Sequence, residues 1–177
     1  MLEKVKRWST RIIIGMIFCS CVLGVLGNAK KVFQDNIYVW TEDQERKLPI
    51  YCVDRKKKVL ALTFDVAWGN EDMNEILKIL KKEKVKSTFF FSGEWMEHYP
   101  EDVKRIARAG HDIGNHGDHH KYMTRLSEEE QRREIQGAGD KAKALLGVSM
   151  ELFRPPYGDY DSQVVETAES LGYYVIQ

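Results

Sequence analysis

After about residue 58, two kinds of hydrophobic pattern alternate along the chain. Continuous apolar runs such as "VLALTFD" and "STFFFSG" indicate strands buried on both faces, whereas "MNEILKILKKE" places Ile76, Leu77 and Leu80 on one helical face. The order continues with strand patterns in "HDIGNH", "LFRPP" and "YYVIQ" and helical patterns between them. The chain therefore predicts an α/β fold with about five parallel strands, either an open sheet or part of a barrel.

Capping residues mark the ends of the predicted helices. Pro100 suits a first helical turn, and Gly110 suits the position just after a helix ends. Ser127 and Glu130 form a capping-box pattern that starts a long helix, which we expect to end at Gly147.

Polar residues collect where three of the predicted strands end. Asp65 closes the first strand, the cluster His116–His120 follows the third, and Arg154 and Tyr157 follow the fourth. The carboxyl ends of parallel strands share one edge of the sheet, which is where α/β proteins place their functional groups. We therefore expect these residues to form one site.

The N-terminal segment has the pattern of an export signal. Four basic residues precede an apolar run from Ile12 to Gly27, which is slightly long for a signal peptide and short for a membrane span. We predict that residues 1–29 are a signal peptide or a membrane anchor, and that the rest of the chain is extracytoplasmic. Residues 30–56 are predicted to be a linker with peripheral strands, and residues 57–177 one domain.

Composition and charge narrow the function further. The 177 residues are 43% hydrophobic and 31% charged, as in an ordinary folded protein. Without residues 1–29 the formal charge falls from 0 to −3, and the lysine-rich stretches "DRKKK" and "KKEKVK" are interpreted as solvated faces, so nucleic acid is not an expected partner. Cys52 is the only cysteine after the apolar run, so that part has no internal disulfide.

The histidine cluster is a candidate metal site. His116 and His120 are four residues apart, so a helical turn or tight loop could direct both imidazoles at one divalent ion, with His119 as the rival second ligand. A polar surface loop is the alternative. Arg154 could form a buried ion pair with Asp65 and orient that carboxylate, although Asp65 could instead cap the next helix and "RPPYG" could be only a rigid turn.

Three motifs together, "TFDVAWG", "NHGDHH" and "RPPYGDY", resemble the polysaccharide deacetylases with a NodB homology domain, carbohydrate esterase family 4. The resemblance is closest to the branch found in spore-forming bacteria and covers roughly residues 57–177. It implies a distorted (β/α) barrel, zinc or a similar divalent transition metal, and removal of N-acetyl groups from peptidoglycan, a chitin-like glycan or a related polysaccharide.

The same resemblance assigns roles to individual residues. Asp65 matches the general base, Arg154 the residue that orients it, and the backbone N–H of Tyr157 the oxyanion donor. His116 and His120 match the metal-binding histidines. Trp95 is interpreted as a packing residue, with a sugar platform as the alternative.

Two departures from the family pattern raise a second hypothesis. Val66 stands where the family has a metal-binding aspartate, which leaves Asn70, Glu71, Asp72 or Asp118 as candidate third ligands. The family's late Trp/Asp motif and catalytic histidine do not occur before Gln177, so we expect a C-terminally truncated domain whose fifth strand is an unpaired edge. The alternative function is therefore a non-catalytic remnant or carbohydrate-binding module of the same fold.

Overall fold

Five parallel strands form one sheet in residues 46–177, the part of the chain that the computed structural model describes. The order in the sheet is sequential, β1 to β5, as for successive strands of a (β/α) barrel. The signal or anchor prediction for residues 1–29, and the linker prediction as far as residue 45, lie outside the described residues. The strands are Thr63–Val66 (β1), Thr88–Phe91 (β2), Asp112–Asn115 (β3), Leu152–Phe153 (β4) and Tyr174–Val175 (β5).

Helices alternate with these strands, as the sequence pattern predicts. The described helices are Met73–Glu83 (α1), Gly93–His98 (α2), Pro100–Arg108 (α3), Glu128–Leu146 (α4) and Ser162–Ser170 (α5), with 3-10 turns at Met123–Arg125 and Pro156–Gly158. No helix within residues 46–177 has the length and apolar character needed to cross a membrane.

The predicted helix caps are present. Ser127 Oγ accepts the backbone N–H of Glu130, and the Glu130 carboxylate accepts the backbone N–H of Ser127 at 2.9 Å, which completes the capping box of α4. Gly147 ends α4 in the left-handed conformation with φ 73°, and Gly110 follows α3 with φ 76°.

Two elements differ from the sequence-based expectation. Helix α2 was not predicted, because six residues are too few for a clear periodic pattern; Ser92 Oγ caps it by accepting the N–H of Trp95 at 3.3 Å. Strand β1 begins only at Thr63, and Leu60 is 87% exposed. The reason is pairing: β2 starts at Thr88, opposite Thr63, so the residues before Thr63 lack a ladder partner there.

The last strand is not the unpaired edge that the sequence suggested. Ile50 forms a parallel bridge with Ile176: its N–H donates to Val175 O at 2.7 Å, and its carbonyl accepts the N–H of Gln177 at 3.0 Å. A single residue of the segment before β1 thus covers part of β5, whereas the sequence predicted a peripheral strand there.

The sheet separates a packed core from the face that carries the candidate site. Phe89 and Phe91 are fully buried in the core among side chains of helices α1 to α4, whereas Phe90 points to the opposite face. On that face a Cβ at Gly114 would lie 2.4 Å from the Phe90 ring, so only glycine permits this packing. A second apolar cluster joins β4 and β5 to α4 and α5.

Candidate active site

Asp65 and Arg154 meet across the carboxyl edge of the sheet. Arg154 follows β4, and its Nη1 donates to Asp65 Oδ1 at 2.8 Å and to Thr63 Oγ1 at 2.9 Å. Its guanidinium lies 4.2 Å from the centroid of the Phe90 ring, which limits the positions it can take. The ion pair that the sequence suggested is present, but it is not buried as expected: the Asp65 side chain is 46% exposed and open to a ligand.

The backbone of Arg154 also fixes His116. The His116 Nδ1 lies 2.7 Å from Arg154 O, and because a carbonyl only accepts hydrogen bonds, Nδ1 carries the proton and Nε2 keeps its lone pair. His116 continues the line of β3, with its backbone N–H donating to Phe91 O at 2.9 Å. One residue, Arg154, therefore sets the position of both Asp65 and His116.

His116 and His120 direct the same ring atom at each other. Their Nε2 atoms are 3.2 Å apart. Two nitrogens that bind one tetrahedral ion at about 2.0–2.1 Å lie about 3.3 Å apart, so the observed separation fits two ligands of a single ion. The Nδ1 of His120 is buried and has no hydrogen-bond partner among the described residues.

Burial favours the neutral form of both imidazoles. Desolvation lowers the pKa of His116, although the nearby Asp65 carboxylate and the hydrogen bond to Arg154 O oppose the effect. Desolvation also lowers the pKa of His120. Neutral imidazole is the form that binds a metal ion, so both residues are prepared for that role near neutral pH.

The other polar residues of the histidine loop point elsewhere. His119 donates its backbone N–H to Glu134 at 2.8 Å, and its Nδ1 lies 3.0 Å from the same carboxylate. Lys121 Nζ contacts Glu134 at 2.9 Å, and Asp118 accepts from Lys141 at 2.6 Å. The side chains of His119 and Asp118 are therefore held by Glu134 and Lys141 and are not directed at the His116–His120 pair.

The other candidate third ligands do not join the two histidines either. Asn70 donates its side-chain amide to Asp102 at 2.7 Å, and Glu71 and Asp72 are exposed at the start of α1. Within residues 46–177 no three His, Cys, Asp or Glu side chains group closely enough to hold a metal ion. Val66 is 7% exposed and packs in the core.

Tyr157 lies beside His120 in a left-handed turn. Its φ is 61°, unusual for a residue with a side chain, and its ring packs edge-on against His120 with centroids 4.5 Å apart. The same ring stacks on Tyr122 at 4.1 Å. The turn thus brings both the Tyr157 backbone and an aromatic surface to the site.

Trp68 is the residue that sequence reasoning missed. It packs edge-on against His120 with centroids 4.5 Å apart, yet it is 73% exposed, and with Asp65 it lines a small cavity of ≈ 150 Å³. Trp95 is buried, with Nε1 donating to Gly69 O at 2.6 Å, so the packing interpretation holds for it. The signal for Trp68 was an aromatic residue three positions after the strand-end carboxylate.

Comparisons with known proteins identify a family. The family model for polysaccharide deacetylase matches residues 53–176. The chain is 32% identical to the peptidoglycan-N-acetylmuramic acid deacetylase PdaA of Bacillus subtilis, over 71% of this chain and 48% of the relative. It is 37% identical to a peptidoglycan-N-acetylglucosamine deacetylase of Bacillus cereus, over 68% of this chain and 44% of the relative.

Among solved structures, the chain is similar to wild-type BA3943 of Bacillus anthracis, which is described as a CE4 family pseudoenzyme. The TM-score is 0.71 and the identity 37%, over 73% of this chain and 46% of that one. The chain thus spans less than half the length of each of these three proteins.

Proposed function

Because the chain belongs to the polysaccharide deacetylase family, we propose that it hydrolyses N-acetyl groups of an amino-sugar polysaccharide in a metal-dependent reaction. The observation that carries the proposal is the double role of Arg154, which holds Asp65 with its side chain and His116 with its carbonyl oxygen. A carboxylate and a pair of neutral imidazoles are thereby held at one strand edge, the groups that amide hydrolysis by an activated water requires.

The proposed ligands of the metal are Nε2 of His116 and Nε2 of His120, supported by their separation of 3.2 Å. Imidazole nitrogens suit zinc and similar divalent transition metals. Such an ion, when bound, supplies Lewis-acid polarisation of the acetyl carbonyl and of a water molecule.

The chain's own residues supply the remaining chemistry. Asp65, oriented by Arg154, is the proposed general base that takes a proton from the attacking water. The backbone N–H of Tyr157 is the proposed donor to the oxyanion that forms on the acetyl oxygen. The exposed Trp68 side chain is the proposed surface for packing a sugar ring beside Asp65, supported by its exposure and by the cavity that it lines with Asp65.

The proposed substrate is peptidoglycan, a chitin-like glycan or a related polysaccharide, because two relatives are named as peptidoglycan deacetylases. That substrate places the site of action outside the cytoplasmic membrane, in agreement with the predicted export signal or anchor in residues 1–29. Nucleic acid is not a proposed partner.

Acetate release from the full chain tests the proposal. Zinc-loaded protein is incubated with N-acetylglucosamine oligomers or purified peptidoglycan, and free acetate is measured. Asp65→Asn and His116→Ala should each lower the rate by about 100-fold or more, since each removes a group that acts on the water. Asp112→Asn and His98→Ala, which change exposed residues away from the site, should stay within twofold. Release that survives both site substitutions would show that the acetate comes from elsewhere.

A second candidate function is a non-catalytic, carbohydrate-binding protein of the same fold. It is favoured by the apolar Val66 and by the lack of a third clustered ligand in the described part of the chain, and one similar structure is described as a pseudoenzyme. Saturable glycan binding without acetate release, in wild-type protein saturated with zinc, would favour this candidate over the hydrolase.

A further inference from the structure

A groove lies at the amino ends of the strands. Asp65 and the histidines lie at the opposite, carboxyl ends. It has a volume of ≈ 650 Å³, a size typical of small-molecule sites. Helix α1, the loop that leads into β2, and the end of α3 with the loop into β3 supply its walls. Its lining residues are Leu77, Lys78, Leu80, Lys81, Lys84, Val85, Lys86, Arg105, Ala109 and His111.

The groove combines an apolar lining with positive charge. Leu77, Leu80, Val85 and Ala109 supply apolar surface, whereas five lining residues are cationic and none is Asp or Glu. An uncharged apolar molecule would form no ion pair with the cations. A small hydrated anion would leave the apolar wall exposed to water. The lining therefore suits a molecule that has both parts.

Three of the five cations have no carboxylate partner within residues 46–177. Lys78 lies 3.6 Å from Glu75, and Arg105 lies 2.7 Å from Asp102. The remaining three, Lys81, Lys84 and Lys86, form no ion pair there, and the Lys86 ammonium donates a hydrogen bond to the carbonyl oxygen of Ala109. Their charge is available to an incoming anion.

His111 adds a hydrogen-bond donor of fixed direction. Its Nδ1 accepts the backbone N–H of Ser87 at 3.2 Å, so the neutral ring carries its proton on Nε2. Burial, with a further contribution from Lys86, lowers the pKa of His111 and keeps the ring neutral. The Ser87 N–H is the one hydrogen-bond partner of the ring among the described residues, and His111 is one of the residues that line the groove.

Lys84 occupies a backbone position that normally favours glycine. It ends α1 in the left-handed conformation with φ 56°, while its N–H donates to the carbonyls of Leu80 and Lys81. This conformation brings the Lys84 side chain to the groove beside Lys81 and Lys86.

We propose that this groove binds a small amphipathic anion, a molecule with one phosphate or carboxylate group on an apolar body. The lysine cluster Lys81, Lys84 and Lys86 holds the anionic group, His111 donates a hydrogen bond to it, and Leu77, Leu80 and Val85 contact the apolar body. The groove is separate from the deacetylase site, so the proposal stands without the function proposed above.

Titration of the full chain with 1-naphthyl phosphate tests this site, with 2-naphthoate as the carboxylate counterpart. We expect saturable 1:1 binding by calorimetry for at least one probe, at least tenfold tighter than inorganic phosphate or uncharged 1-naphthol. Amide chemical shifts should change mainly in residues 77–86 and 105–111. The order of the two probes identifies the preferred anionic group.

Matched variants separate the groove from general charge. The double variant Lys81→Glu with Lys84→Glu should weaken binding by at least tenfold. Lys57→Glu with Lys82→Glu makes the same change in net charge at exposed positions outside the lining, and it should stay within twofold. The proposal is overturned if neither probe saturates, if inorganic phosphate or 1-naphthol binds as tightly, or if both double variants lose affinity equally.

Discussion

At the scale of single residues, Arg154 couples the two halves of the proposed site. Its guanidinium fixes Asp65, and its carbonyl oxygen selects the His116 tautomer that leaves Nε2 free. The cation also rests on Phe90, so its planar group has a defined orientation. Two positions that are 51 residues apart in the sequence, Asp65 and His116, therefore depend on one side chain and one peptide group.

Val66 is the residue at which metal affinity is open to improvement. Val66→Asp should raise zinc affinity by at least tenfold, because the family pattern has a metal-binding aspartate at this position. Without metal the same variant should be less stable than wild type, since a buried unpaired carboxylate costs on the order of a few kcal/mol. Zinc calorimetry and thermal unfolding with and without zinc measure both effects.

Val66→Asn is the matched control, because the amide has nearly the same shape and no charge. It should destabilise the protein without the gain in zinc affinity. Equal zinc affinity in wild type and Val66→Asp would mean that the side chain at this position does not reach the ion.

At the scale of elements, α4 is the support on which the loops of the site rest. Glu134 of this helix accepts from His119 and Lys121, and Gln131 donates to the carbonyls of Met123 and Leu126. Although burial raises it, the pKa of Glu134 is held below its usual value by these hydrogen bonds and by Lys121. The histidine loop is thus anchored through the neighbours of the proposed ligands.

Glu134→Gln should weaken zinc binding by about tenfold, because an amide has only one acceptor oxygen and no charge for the three groups that contact Glu134. Loss of that anchor frees His120 to leave the position opposite His116. Glu129→Gln removes an exposed carboxylate of the same helix and should leave zinc affinity unchanged. Calorimetry measures the zinc affinity of both variants, and equal affinities would contradict the anchoring role of Glu134.

At the scale of the whole molecule, the sheet separates two edges of different character. The carboxyl edge carries Asp65, Arg154 and the paired histidines, and the amino edge carries the lysine-lined groove. Histidines with lowered pKa values occur at both, His116 and His120 at the first and His111 at the second. When the pH falls below neutral, protonation of these histidines therefore adds positive charge at both ends of the strands.

Stability should fall as the pH drops below about 6.5, the pKa of histidine in an unfolded chain. Below that value the unfolded chain takes up protons that the buried histidines resist, so the free energy of unfolding decreases until the pH reaches the folded pKa values. Above it, both states carry neutral histidine and the effect is absent. Urea unfolding of the metal-free chain between pH 7.5 and pH 5.0 measures the slope.

His111→Gln should make this slope shallower, since glutamine can accept the Ser87 N–H but does not titrate. Glutamates with lowered pKa values act only at lower pH and do not obscure this window. A free energy of unfolding that stays constant or rises between pH 7.5 and 5.0 would contradict the burial effect.

The sequence by itself determined the features that depend on local physics. Apolar periodicity and capping residues located α1, α3, α4 and α5, and the polar strand ends brought Asp65, Arg154 and the histidine cluster to one edge. These features can be predicted from the sequence because each depends on a few neighbouring residues or on the hydrophobic period of one element.

Tertiary structure alone decided which polar group meets which. Glu134 takes His119 away from the proposed metal, and Lys141 takes Asp118, although each partner is more than 14 residues distant in the sequence. Trp68 faces solvent beside His120 while Trp95 is buried, although both follow strand ends. These contacts cannot be predicted from the residues of a motif alone, because they depend on the side chains that other elements bring to the same place.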